Sequence, residues 1–252
     1  MLDFLKVLLA TLALLVAAAE VGFVVGRRKQ ASSDQEGRSQ ISMVEGALLG
    51  LLALLLGFTF SMAVARFDSR QDLVLREANA LGTAGLRADL LPLPVQEALR
   101  PKLRAYGDAR VEYSTAGGDN AAVEAAMKKS SALQKEIWAG AVAEAAQHPT
   151  PITALYVASL NELFDLADAR AAARFISVPR SVWFVLFLVA SLAAGSLGFG
   201  AGLIGRRLTL QVNLIPLLLA IILTLLVDLD HPRQGMIQVS SESLIRARAD
   251  LK

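Results

Sequence analysis

The sequence contains no cysteine and only two histidines, His148 and His231. The first absence excludes disulfides, thiolate metal sites and cysteine nucleophiles. The second leaves too few imidazoles for a histidine-rich metal centre, so no metal ligand set is expected. A large excess of charge of either sign is also absent. The formal net charge is +2, and no dense basic stripe interleaves with aromatics, which argues against a nucleic-acid partner. Gly82-Thr83-Ala84-Gly85 lacks the lysine and the preceding strand of a phosphate loop. Glu162 and Asp165 share a helix face, yet no nucleophile or ligand set accompanies them. Catalytic residues and cofactors are therefore not expected, and the chain does not read as an enzyme. Internal repeats and low-complexity runs are absent as well.

What is present is apolar sequence, 54% of the residues, gathered into blocks. The first block runs from Val7 to Gly26, interrupted by Glu20 and ended by Arg27, Arg28 and Lys29. A secretory signal peptide is the rival reading, since Ala17-Ala18-Ala19 resembles a cleavage site. It is set aside because Asp3 offsets Lys6 and the apolar run continues beyond that point. Further blocks run from Met43 to Ala65, Val182 to Ile204 and Leu208 to Val227. Each is near the ~20 residues that a helix needs to cross the hydrocarbon core. Helix is the expected form, because every backbone N–H must find a partner without water. Pro216 is expected to kink the fourth block.

The expected fold is an all-α membrane protein with four transmembrane helices and a helical bundle inserted between spans 2 and 3. Residues 1–65 form a hairpin with spans about 5–26 and 43–65, and residues 66–180 a helical soluble domain. Residues 181–229 form a second hairpin with spans about 182–204 and 208–227, and residues 230–252 a polar tail.

In the insert, the second span is expected to continue as one helix toward Leu91, stopped by Pro92 and Pro94. Helices are expected over Val95–Tyr113, with Pro101 limiting its regularity, from an Asp119 or Asn120 cap to Gln147, and over Ile152–Phe175. In the tail, Met236-Ile237-Gln238-Val239 alternates like a short strand, and Ser240–Leu251 reads as a short helix.

The two short loops, 27–42 and 205–207, carry Arg27, Arg28, Lys29, Arg38, Arg206 and Arg207. Short basic loops favour the cytoplasm, so residues 66–180 are expected outside it, in a multi-pass protein of the cell membrane such as a bacterial inner membrane. Arg66, Arg70, Arg174 and Arg180 flank the opposite side and oppose that reading.

Three ordered motifs resemble the bestrophin-like DUF4239 family. One is Glu77-Ala78-Asn79-Ala80-Leu81-Gly82-Thr83-Ala84, followed by Leu86-Arg87-Ala88-Asp89-Leu90-Leu91-Pro92. Another is Leu160-Asn161-Glu162-Leu163 with Asp165 and Arg170, and the third is the block Asp228–Gly235. Gly85 stands where that pattern leads one to expect an aromatic. The resemblance implies a distant relation to bestrophins, which are pentameric anion channels. Leu56-Gly57-Phe58-Thr59-Phe60 with Arg66-Phe67 is similar to their second-span segment, where the residue matching Phe58 lines a hydrophobic neck. The two preceding neck positions are Leu54 and Gly50 here, a departure from that pattern. Bestrophin topology implies a cytoplasmic 66–180, against the loop-charge argument.

Candidate pore or gating residues are Gly50, Leu54, Gly57, Phe58 and Arg66, with Glu20, Glu45 and Asn213 as a polar layer within the spans. Snorkelling or pairing with Arg27, Arg28 or Arg206 is the plainer role for Glu20. Gly46, Gly50, Ala53, Gly57, Ser61 and Ala65 form one small-residue stripe; Ala190, Ala194, Gly198 and Gly202 form another. Each serves either packing within the subunit or an oligomer seam or pore face. Glu77, Asn79, Arg87, Asp89, Asn161, Glu162, Asp165 and Arg170 are candidates for a buried polar network between two helices, structural or anion-binding. The expected function is an oligomeric channel-like protein for small anions, with the lipid bilayer and further copies of itself as partners. The alternative is a membrane-anchored interaction or sensor scaffold without conduction.

Overall fold

A computed structural model describes residues 2–32, 35–205, 209–230 and 236–251. Its elements are α1 (Leu2–Lys29), a 3-10 turn (Gln30–Ser32), α2 (Gln35–Ala88), α3 (Leu93–Thr115), α4 (Asn120–Gln147), α5 (Pro151–Ala173), α6 (Arg180–Ile204), α7 (Thr209–Asp230) and α8 (Glu242–Asp250). Local chemistry sets the ends. Arg27, Arg28 and Lys29 close α1, where cations suit the negative end of the helix dipole. Asp119 caps α4 by accepting the Ala121 and Ala122 N–H groups at 2.9 and 3.1 Å. Thr150 and Thr153 cap α5 reciprocally, with Pro151 in the first turn. Gly205, at φ 72°, ends α6 in the left-handed conformation that glycine adopts without strain.

The chain divides into two compact units. One comprises residues 1–66 and 177–237, the other residues 67–176 and 238–252. In the first, α1 packs against α6 and α7. The α1–α6 contact is made by small residues on both helices. A Cβ built on Gly198 would overlap the Ala19 carbonyl, and one on Gly22 would overlap the Gly195 carbonyl. A Cβ built on Gly202 or on Gly26 would likewise overlap the carbonyl of Phe23 or of Phe199. Without a hydrophobic drive in lipid, such approach gains dispersion between backbones. Among the described residues, three helices are long and apolar enough to cross a membrane: Phe4–Lys29, Ser39–Ala88 and Arg180–Ile204. The fourth expected span overlaps α7; its first residue, Leu208, and the side chains of residues 209–213 lie outside the described residues.

The second unit is a helical bundle of α3, α4, α5, α8 and the distal part of α2 around Leu81, Leu103, Tyr106, Ile137, Tyr156, Leu160 and Leu163. The α2 helix does run unbroken past Arg66, but it ends at Ala88, before Pro92. Pro94 sits in the first turn of α3, where its missing N–H costs nothing, and Pro101 is accommodated within α3. The strand-like tail segment is corrected: no strand forms among the described residues. Instead, Asp228 accepts the N–H groups of Met236 and Ile237 at 3.0 and 2.9 Å. Gly85 faces Leu251, whose side chain occupies the space that a larger residue at position 85 would need.

Candidate functional site

The two small-residue stripes have opposite fates. The α6 stripe is buried against α1, with Ala190 and Ala194 at 0% exposure. Among the described residues, nothing covers the α2 stripe. Gly46, Gly50, Ala53, Gly57, Ser61 and Ala65 are all exposed, and no atom lies within 4 Å of a Cβ built on Gly46, Gly50 or Gly57. Leu54 (57% exposed) and Phe58 (65%) border this stripe. Leu52, Thr59 and Ala63, on the opposite side, are buried, and the Thr59 hydroxyl donates to the Leu55 carbonyl at 2.7 Å. The helical period therefore places every inward anchor about half a turn from the stripe.

The other pore candidates do not share that face. Glu45 is half-buried, with Oε1 against Gly200 of α6. Glu20 is exposed on α1, and the Asn213 side chain lies outside the described residues, so the polar layer is not assembled among the described residues. Arg66 is half-buried and points Nη2 at the Met62 sulfur, 3.4 Å away on the same helix. Arg70 donates to the carbonyls of Ala173 and Ile176, at 3.4 and 2.6 Å.

Beyond Ala65, in the second unit, the corresponding α2 positions are Asp68, Asp72, Leu75, Asn79 and Leu86, all exposed. They border an open groove of about 960 Å³ whose other wall is α8, with Glu242, Arg246 and Asp250. Carboxylates outnumber cations there.

The eight-residue polar network is not brought together as one. Glu77 and Arg170 do meet, at 2.7 Å in the core. Asp89 pairs with Arg100 at 2.9 Å, and Arg87 donates to the Leu155 carbonyl at 2.9 Å. Asn161 bonds Asp165 at 3.1 Å on the surface of α5, where Glu162 is exposed. Asn79 lines the groove. The partner not anticipated is Arg110, which also bonds Glu77.

The model of the bestrophin-like domain matches residues 12–244. The chain belongs to the bestrophin-like family. Solved structures agree in fold. A tryptophan-to-alanine variant of a bacterial bestrophin homologue from Klebsiella pneumoniae superposes with a TM-score of 0.69 at 16% identity, covering 98% of this chain and 96% of that one. A structure of the Klebsiella pneumoniae homologue phased on zinc gives 0.67 at 15%, covering 94% and 96%. A structure described as a membrane protein gives 0.69 at 14%, covering 100% and 98%. No curated protein matches.

In this bestrophin-like chain, Arg110 escapes sequence reading because it sits in α3 among exposed charges of similar spacing. The Glu77–Arg170 motif pair is already neutral, so nothing in it calls for a third charge. Gly22 and Gly26, four apart in α1, carried a readable small-residue signal that complements the α6 stripe.

Proposed function

We propose that this bestrophin-like protein is a membrane pore built from several copies, with the α2 helices around a shared axis. The arrangement has four spans per copy, the fourth in α7, and residues 66–180 outside the cytoplasm. The observation that carries the reading is the uncovered α2 face of Gly50, Gly57, Leu54 and Phe58. Small residues there leave a lumen when α2 helices converge, and apolar rings at Leu54 and Phe58 can gate ions by dewetting. A single copy has too few helices to enclose an ion path.

Small anions are the permeant class implied by kinship to bestrophins. A second ion preference is favoured by particular side chains. Arg66 and Arg70 point away from the uncovered face, whereas Asp68 and Asp72 lie along its continuation, which would draw cations instead.

The test is current through the purified protein in planar bilayers. Phe58→Ala should raise or deregulate a selective conductance, and the reversal potential in a salt gradient separates anions from cations. A well-folded oligomer that stays silent in both forms would replace the pore with a membrane-anchored scaffold.

A further inference from the structure

In the core of the second unit, one carboxylate serves two guanidiniums. Glu77 is fully buried, Arg110 is 3% exposed and Arg170 is 7% exposed. Both Glu77 oxygens are occupied, Oε1 by Arg110 Nε and Oε2 by Arg170 Nη1. Arg170 Nη2 donates to the Ser114 hydroxyl. The Tyr113 ring lies 4.6 Å from the Arg110 guanidinium and 5.3 Å from that of Arg170. A ring quadrupole softens a cation but supplies no net negative charge. The other buried carboxylate described in this unit, Glu144, is 3.1 Å from His148 at the end of α4. Burial works against the charge on Arg110, yet the charge and hydrogen bond of Glu77 outweigh it and hold its pKa above the ordinary arginine value. The cluster thus holds two cations and one anion away from water. In addition, Arg110 Nη2 is buried and meets no acceptor.

An uncompensated charge buried away from water is strongly unfavourable. A water molecule could accept from Arg110 Nη2, but it would leave the charge unbalanced. We infer that this cluster is a binding site for one small monovalent anion of the halide class, held by Arg110 Nη2 beside Arg170. A doubly charged oxyanion would overshoot the single missing charge. The site lies in the helical bundle and stands whether or not the α2 face conducts.

The full-length protein in detergent is heated in sodium bromide and in sodium gluconate at equal ionic strength, and crystals grown in bromide are measured at its absorption edge. The thermal midpoint should rise with bromide concentration, as for any ligand that binds only the folded state. An anomalous peak should stand at hydrogen-bonding distance from Arg110 Nη2. In Arg110→Gln, Glu77 and Arg170 balance each other, and the bromide dependence should vanish. Should that variant fail to fold, the wild-type anomalous map decides. Water or nothing beside Nη2 overturns the inference, as does a bromide dependence that survives in folded Arg110→Gln.

Discussion

Gly198 of α6 lies so close to the Ala19 carbonyl of α1 that a side-chain carbon at position 198 would overlap it. Backbone, unlike a flexible side chain, cannot give way cheaply. Gly198→Leu should therefore destabilise the first unit by about 1–3 kcal/mol or more, the usual range for overpacking. The check is the unfolding midpoint in detergent. A midpoint equal to wild type would mean that the two helices are not apposed this way.

The same change on α2 should behave differently. At Gly50 nothing within 4 Å obstructs a Cβ. Gly50→Leu should leave the unfolding midpoint of the subunit unmoved while narrowing the lumen, so conductance falls and the mass of the detergent-solubilised complex holds. Loss of the complex with retained subunit fold would make this stripe a seam between copies rather than a pore wall.

Glu77→Gln removes the one carboxylate that, among the described residues, bonds both Arg110 and Arg170, which are buried. Breaking a buried pair from one side costs about 3–5 kcal/mol, and here two guanidiniums rather than one would be stranded. Resistance of the second unit to limited proteolysis, measured on the full chain, should drop accordingly. Wild-type resistance would show that water already reaches the cluster.

Leu251 fills the space above Gly85. Gly85→Phe alone should cost about 1–3 kcal/mol by overpacking. Adding Leu251→Ala should recover part of that loss, since two residues in contact do not act additively. Additive losses in the double variant, by thermal unfolding, would separate the two positions.

If the α2 face leads ions past Asp68 and Asp72, then Asp68→Asn with Asp72→Asn should shift the reversal potential toward anions. The shift should be larger at low ionic strength, because exposed charges act over a Debye length of about 10 Å at 0.1 M. A reversal potential indifferent to both changes would remove these carboxylates from the ion path.

Much of the helical layout was readable in advance. Asp119 begins α4 where capping chemistry places it, and the absence of proline between Arg66 and Leu91 lets α2 run on, whereas the Thr150 cap of α5 was not anticipated. The tail misled because a pattern of period two over Met236–Val239 is too short to choose between a strand and an irregular segment pinned by Asp228. The polar network misled for another reason. Motif proximity in sequence put Asn79, Asp89, Asn161 and Asp165 beside Glu77 and Arg170, yet the helical period turns them to the surface.

By itself the sequence determined that this protein is helical and apolar in blocks. Those properties follow from backbone hydrogen bonding without water and from local capping, neither of which needs a distant partner. It could not say which small-residue stripe would be consumed within the subunit, nor that Arg110 would join Glu77 and Arg170. Those outcomes depend on which faces of α1, α2, α3, α5 and α6 meet. Equal spacing on two helices carries no information about what stands opposite, so only the packed structure could leave Gly50 uncovered while burying Gly198.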